Sequence, residues 1–310
     1  MTKTVFIDGE AGTTGLEIGQ RLRGLAGVSV RSLDAAARRD RAARLAMMAA
    51  VDLVVLCLPD EAARDAADMI EGLGGGAPKL LDASTAHRVA PGWVYGFAEL
   101  APGQASEIAA APRVANPGCY ATGAIGLLRP LIDAGVIPPE HPLCIQGISG
   151  YSGGGKSMIA DHEQTGGPAL ELYALSLNHK HIPEIMRHAG LTTRPIFVPA
   201  VGHFRQGMLV MVPLQLETLP GRPTAREIGS VFDDWYHATK QVRVRRPPAD
   251  QRLQAEPMAG SDLMEIYVFE NEAESQVVLV ARLDNLGKGA AGAAVQNIGL
   301  MLGLHAPMDR

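Results

Sequence analysis

Thr4-Val5-Phe6-Ile7-Asp8-Gly9-Glu10-Ala11-Gly12-Thr13-Thr14-Gly15 decides the fold of this chain. An apolar strand runs straight into a loop with glycines at 9, 12 and 15, and a helical pattern opens behind it at Leu16, Ile18 and Leu22. Strand, glycine loop and helix in that order form an anion-binding turn, because a helix start presents N–H groups and a positive dipole end. Gly9 allows the tight turn, Gly12 lets backbone approach a pyrophosphate, and Gly15 lets the helix lie on the strand. With Thr13 and Thr14 they make a candidate dinucleotide cradle. The spacing is G-x-x-G-x-x-G rather than G-x-G-x-x-G, so a plain βα turn competes with that reading.

The next elements extend a parallel sheet. Val28 to Leu33 reads as the second strand. Asp34 stands where an acidic residue would hold an NAD ribose, whereas Ser32, Arg38 and Arg39 are placed to hold an NADP 2′-phosphate. Asp34 also reads as a simple helix cap. Val51 to Leu58 is almost continuously apolar, as in a strand buried on both faces. Pro59-Asp60 ends it, a helix from Glu61 to Leu73 follows, and Lys79 to Ala83 is the next strand, with Ser84 and Thr85 at its carboxyl end. Polar residues there line the cofactor crevice of an open α/β sheet. Cys57 and Cys144 sit in apolar runs and read as core.

Composition narrows the class. The chain has 310 residues, enough for two domains, with 47% hydrophobic residues, 20% charged and a formal net charge of -5. That mild acidity argues against nucleic acid or an anionic membrane as partner. No apolar run has the length of a membrane span. The first residues read as a strand and not as a signal peptide. Three cysteines are no disulfide framework, and a free thiol suits a cytoplasmic setting.

Asn116-Pro117-Gly118-Cys119-Tyr120-Ala121-Thr122 carries the chemistry. Pro117 and Gly118 break the chain, and a helix follows with Ile125, Leu128, Leu131 and Ile132 on one face. A thiol at the positive end of a helix dipole is favoured as thiolate, the form that attacks acyl carbons. Cys119 as nucleophile implies an enzyme working through a thioester.

Beyond this helix the pattern becomes α+β. Leu143 to Ile148, Ile196 to Val201, Met208 to Leu216, Val242 to Arg245, Met264 to Phe269 and Gln276 to Leu283 read as strands of a mostly antiparallel sheet, with one clear helix from Thr224 to Ala238. Ser149-Gly150-Tyr151-Ser152-Gly153-Gly154-Gly155-Lys156 is a second glycine-rich loop. It fits the Walker expression, but its strand–helix context is incomplete and a nucleotide hydrolase needs an acidic magnesium partner. It reads better as a small phosphate site built from Ser149, Gly150, Ser152 and Lys156. Asn178-His179-Lys180-His181-Ile182-Pro183-Glu184 sets two histidines and a glutamate at a helix start, too few ligands for zinc. His203, with Arg205 as a carboxylate clamp, is the rival histidine.

Taken together, the chain resembles N-acetyl-γ-glutamyl-phosphate reductases of the shorter type. The resemblance runs nearly end to end. It includes the Gly9 loop, Leu58-Pro59, Asp82-Ala83-Ser84, Tyr95-Gly96-Phe97-Ala98-Glu99-Leu100, Asn116 to Tyr120, Ser149 to Lys156, His179 to Glu184, and Asp284-Asn285-Leu286-Gly287-Lys288-Gly289-Ala290-Ala291-Gly292.

The resemblance implies a glyceraldehyde-3-phosphate/semialdehyde-dehydrogenase-like fold. An α/β Rossmann-like domain over 1–117 and 285–310 would bind NADP(H), and an α+β domain over 118–284 would carry catalysis and oligomerisation. It implies NADPH-dependent reduction of an acyl phosphate to N-acetylglutamate semialdehyde in arginine biosynthesis, with phosphate released and no metal. Cys119 matches the nucleophile and His181 the acid/base, with His203 kept as an alternative. Asn116 would help to hold the oxyanion. His179, Glu184, His203 and Arg205 would face substrate; Pro59, Ser84 and Asn285 would face the cofactor. Asn285 to Leu304 is expected as one long helix returning to the nucleotide domain. A homodimer or homotetramer is expected. The alternatives are a reductase of aspartyl or aminoadipyl phosphate and a non-catalytic NADP(H) sensor.

Overall fold

The computed structural model describes residues 2–305. Met1 and positions 306–310, the far end of the expected second cofactor segment, lie outside the described residues. The chain divides into two compact units. One takes the chain up to Ala98, Gly103–Pro117 and the chain from Ala290; the other takes Glu99–Pro102 and Gly118–Gly289.

The first unit is built on strands β1 (Lys3–Asp8), β2 (Val28–Arg31), β3 (Leu53–Leu56), β4 (Lys79–Asp82), β5 (Val94–Tyr95) and β6 (Arg113–Ala115). Their order is β2-β1-β3-β4-β6-β5, and every pairing is parallel. All four residues of β3 are buried, which explains its unbroken apolar sequence. Helices α1 (Thr13–Arg23), α2 (Arg41–Ala49), α3 (Asp60–Glu71) and α4 (Gln104–Ala110) belong to this unit. Two apolar layers cover the sheet. One gathers Val5, Ile7, Leu53, Val55 and Leu81 with Ile18 and Ile298; the other gathers Phe6, Val54, Leu56 and Leu80 with Met48, Ala66 and Ile70.

The second unit opens with α5 (Cys119–Asp133) and contains β7 (Cys144–Gly150), α6 (Gly155–Ala160), β8 (Leu170–Leu172), α7 (Ile182–Ala189), β9 (Ile196–Gly202), β10 (Met208–Gln215), α8 (Ala225–Tyr236), β11 (Val242–Arg245), β12 (Met264–Asn271) and β13 (Gln276–Leu283). The sheet runs β11-β12-β13-β10-β7-β9-β8. Pairs β11/β12 and β7/β9 are parallel; the other four are antiparallel. One face carries α5: a Cβ on Gly123 would lie 2.6 Å from Val210, and one on Gly126 the same distance from Met264.

Three sequence expectations change. Edge strand β8 was not foreseen, because three residues with two exposed leucines give no period. Helix α6 was not foreseen either, whereas α7 starts at Ile182–Pro183 as the sequence leads one to expect, and α8 is the other expected helix. The Asn285–Leu304 helix resolves into a five-residue π-type turn, Gly287–Ala291, and a shorter α9 (Gly292–Met301), a break that the glycines at 287, 289 and 292 allow. No described helix is long and apolar enough to cross a membrane.

Candidate active site

In the first unit, the glycine loop joins β1 to α1. Gly9 has φ +91, and a Cβ there would strike the Cys57 carbonyl at the end of β3; at Gly15 it would lie 2.6 Å from Gly9 O. Both positions therefore require glycine. Gly12 is the N-cap of α1 and supplies no side-chain cap, so the first-turn amides of Thr13 and Thr14 suit a pyrophosphate. The residues thus fit a dinucleotide.

Arg38 lies beside the glycine loop. Its Nε donates to Leu33 O at 2.9 Å, and its guanidinium lies 3.5 Å from Glu10 in the glycine loop. Asp34 instead caps the following turn, with Oδ1 accepting from Ala36 N (3.1 Å) and Ala37 N (2.8 Å). Ser32 and Pro59 are exposed, one just past β2 and the other at the start of α3. Ser84 donates its hydroxyl to Asp82 at 2.7 Å; the same carboxylate holds His87 at 2.6 Å, with Trp93 stacked on that ring. Asn116 donates to Ala290 O and accepts from Asn297, each at 3.0 Å. Its amide is thus held within the first unit's own network.

In the second unit, Cys119 is the first residue of α5, which begins at Gly118 without a side-chain cap. The Gly118 N–H donates to Glu184 Oε2 at 3.1 Å, from the first turn of α7. The other oxygen, Oε1, lies 3.9 Å from His181 Nε2. Glu184 is 1% exposed and His181 5%. One buried carboxylate therefore ties the backbone at the thiol to the imidazole. Glu184, expected at substrate, is spent on this tie.

The neighbouring rings pack around His181. His179 Nδ1 accepts the His181 N–H at 3.1 Å, so a neutral His179 carries its proton on Nε2, 3.3 Å from Tyr173 Oη. Its ring packs edge-on against His181 at 4.7 Å and Tyr120 at 5.9 Å. Burial, then the Cys119 charge, pushes the Tyr173 phenol up to about 12; Tyr120 is pushed up too, by burial first and then by Tyr173 and Cys119. Both phenols stay protonated at neutral pH. Tyr173 was missed in the sequence, where a lone tyrosine outside any motif carries no signal.

The second glycine loop is tied to the β9–β10 turn: Gly150 N, Tyr151 N and Ser152 N donate to Gly207 O, Phe204 O and Arg205 O at 2.9, 2.9 and 3.1 Å. Asn285 donates to Ser152 Oγ and accepts from Gly207 N, each at 2.9 Å. Both ends of its amide thus brace this loop, although it was expected at the cofactor. Ser149 is buried beside Tyr120, while Lys156 is exposed on α6.

His203 belongs to a different group. Its Nδ1 lies 2.9 Å from His162 Nδ1, Tyr151 stacks on His162 at 4.7 Å, and Arg205 pairs with Glu163. His203 and Arg205 are exposed, and neither shares a described contact with Cys119.

Comparison with known proteins gives the class first. Residues 119–285 match the family described as "Semialdehyde dehydrogenase, dimerisation domain". Solved structures agree in fold: an aspartate semialdehyde dehydrogenase II from Vibrio cholerae superposes with TM-score 0.71 at 17% identity, covering 99% of this chain and 100% of that one. The Candida albicans aspartate semialdehyde dehydrogenase with NADP gives 0.63 at 11% identity, covering 97% and 99%. Sequence relatives are more specific. The N-acetyl-gamma-glutamyl-phosphate reductase of Brucella anthropi is 49% identical over 98% of this chain and 99% of its own length. N-acetyl-gamma-glutamyl-phosphate reductase 2 of Pseudomonas putida is 46% identical over 97% of each. The chain belongs to the N-acetyl-gamma-glutamyl-phosphate reductase family.

Proposed function

We infer that this protein catalyses the NADPH-dependent reductive dephosphorylation of N-acetyl-γ-glutamyl phosphate to N-acetylglutamate semialdehyde, in arginine biosynthesis. The family relationship supports the reaction. The observation that carries the residue assignment is the Gly118–Glu184–His181 chain beside Cys119.

The Cys119 thiolate attacks the acyl carbon, the C–O bond to phosphate breaks in the tetrahedral adduct, phosphate leaves, and a Cys119 thioester remains. When bound, NADPH supplies the hydride. His181 moves the proton at the thiohemiacetal oxygen as the C–S bond breaks to release the aldehyde, and Glu184 holds the imidazole in place. First-turn amides of α5, rather than the Asn116 side chain, suit the oxyanion. Ser149, Gly150, Ser152 and Lys156 form the proposed phosphate side; His179 orients His181 through its backbone. Gly9, Gly12, Thr13, Thr14 and Gly15 hold the pyrophosphate in this reading, and Arg38 the 2′-phosphate. Pro59 and Ser84 line the same crevice. The NADP-binding domain over 1–117 and 285–310 and the catalytic domain over 118–284 are supported by the division of the compact units at 117/118, with the second division falling at 289/290. A cytoplasmic site suits the free cysteines.

Oligomerisation uses the sheet face away from α5 in this reading. Leu172, Ala200, Ile148, Leu209 and Arg282 register across five strands there, with Gln146, Met211, Val280 and Tyr267 in the next row. This face is largely apolar but carries the Arg282–Glu265 pair and Gln146, and it suits a self-complementary homodimer.

Turnover of the semialdehyde with NADP⁺ and phosphate tests the assignment. Activity in Cys119→Ala would refute the covalent route. A kcat/KM higher for aspartate or aminoadipate semialdehyde would move the substrate to that alternative.

A further inference from the structure

We propose that the buried Glu99–Lys288 ion pair is a positioning element for Cys119; this rests on reading Cys119 as the nucleophile. Lys288 Nζ lies 2.6 Å from Glu99 Oε2, with side chains 1% and 4% exposed. Both residues fall in stretches that the sequence singles out, Tyr95 to Leu100 and Asp284 to Gly292, and neither has a part in the steps above. An apolar pair of similar volume is commonly as stable as a buried ion pair, because enclosing two charges costs much of their mutual attraction. Stability alone is therefore a weak reason for this pair.

Its location gives a better one. Lys288 stands on the π-type turn Gly287–Ala291, next to Gly289. A Cβ on Gly289 would lie 2.9 Å from Cys119 Cβ and 3.3 Å from Cys119 Cα. The backbone of this turn is thus the surface on which the nucleophile rests. The preceding residues are pinned: Gly289 N donates to Asp284 O at 3.0 Å, and the Asp284 carboxylate accepts from Gly260 N at 2.8 Å and Leu286 N at 3.0 Å. Lys288 supplies the support beyond them. Its anchor, Glu99, is gripped in turn, because Trp235 Nε1 on α8 donates to the Glu99 carbonyl at 3.3 Å.

A short charge-assisted hydrogen bond fixes both length and direction, which apolar contact does not. The pair thereby holds the turn, and the turn holds the thiol against drift. Displacing a reacting group by about 1 Å can cost about 100-fold in rate.

The test replaces the pair with apolar residues of similar length, Lys288→Met/Glu99→Met. Melting temperature, the rate of Cys119 alkylation by iodoacetamide against pH, and kcat and KM for the semialdehyde are measured. Melting within a few degrees of the parent is expected, with alkylation slowed about tenfold, kcat lowered about 100-fold, and KM changed less than about threefold. A folded double variant with parental alkylation and kcat would overturn the proposal, as would a loss carried by KM alone. Glu99→Asp, which keeps the charge and shortens the strut, covers the case of a double variant that fails to fold. It should lose about tenfold in kcat by the same displacement argument, and parental rates would overturn the proposal. Turnover surviving in Cys119→Ser would instead remove the nucleophile assignment, whatever the pair does.

Discussion

Two pairs of histidines sit in the second unit, and they differ in what surrounds them. His179 and His181 are buried, and each is tied to the chain: one accepts a backbone N–H, while the other faces a carboxylate that holds the residue before Cys119. His162 and His203 face each other at 2.9 Å under Tyr151, with His203 exposed and an Arg205–Glu163 pair alongside. The sequence favours His181 as partner for the thiol and keeps His203 as the alternative. They differ in attachment: among the described contacts, the first pair is linked through Glu184 to the residue before Cys119, whereas the second is linked to Tyr151, Arg205 and Glu163 around the second glycine loop.

The largest effect that can break this contrast is at the thiol. Cys119→Ser should lower kcat by at least about 1,000-fold in the semialdehyde assay, since the nucleophile and its base act as a unit. Next, His181→Asn should cost about 100- to 10,000-fold and remove one limb of the pH–rate profile, whereas His203→Asn should stay within about threefold. Equal losses would erase the distinction. Glu184→Gln keeps an acceptor for the Gly118 N–H but removes the charge beside His181. A loss of about 10- to 100-fold in kcat is expected. The smallest effect falls on the cofactor: Arg38→Ala should weaken NADP⁺ binding by about tenfold in a fluorescence titration and leave NAD⁺ unchanged.

The first unit was the more legible in sequence. The strand–glycine–helix turn and the wholly apolar β3 come from local rules, and the structure shows what they require: no Cβ fits at Gly9 or Gly15, and no face of β3 meets water. Whether Asp34 caps a turn was not readable in sequence, because capping and ribose contact ask for the same carboxylate at the same position; the structure shows it capping Ala36 and Ala37. In the second unit, Cys119 was legible from the break before its helix. Its surroundings were not: Glu184 reaches Gly118 across 66 positions, and Gly289 approaches Cys119 from the far end of the chain. Asn285 shows the same limit, since a conspicuous motif residue proved to brace Ser152 and Gly207.

The central claim is that Cys119 carries the acyl group. The direct measurement is a rapid-mixing experiment with the semialdehyde and NADP⁺ but no phosphate, followed by peptide mapping. A burst of NADPH absorbance approaching one equivalent per chain, then a stall, with the added acyl mass on the Cys119 peptide, is the predicted result. No burst, or an acyl mass on Cys57 or Cys144 instead, would contradict it.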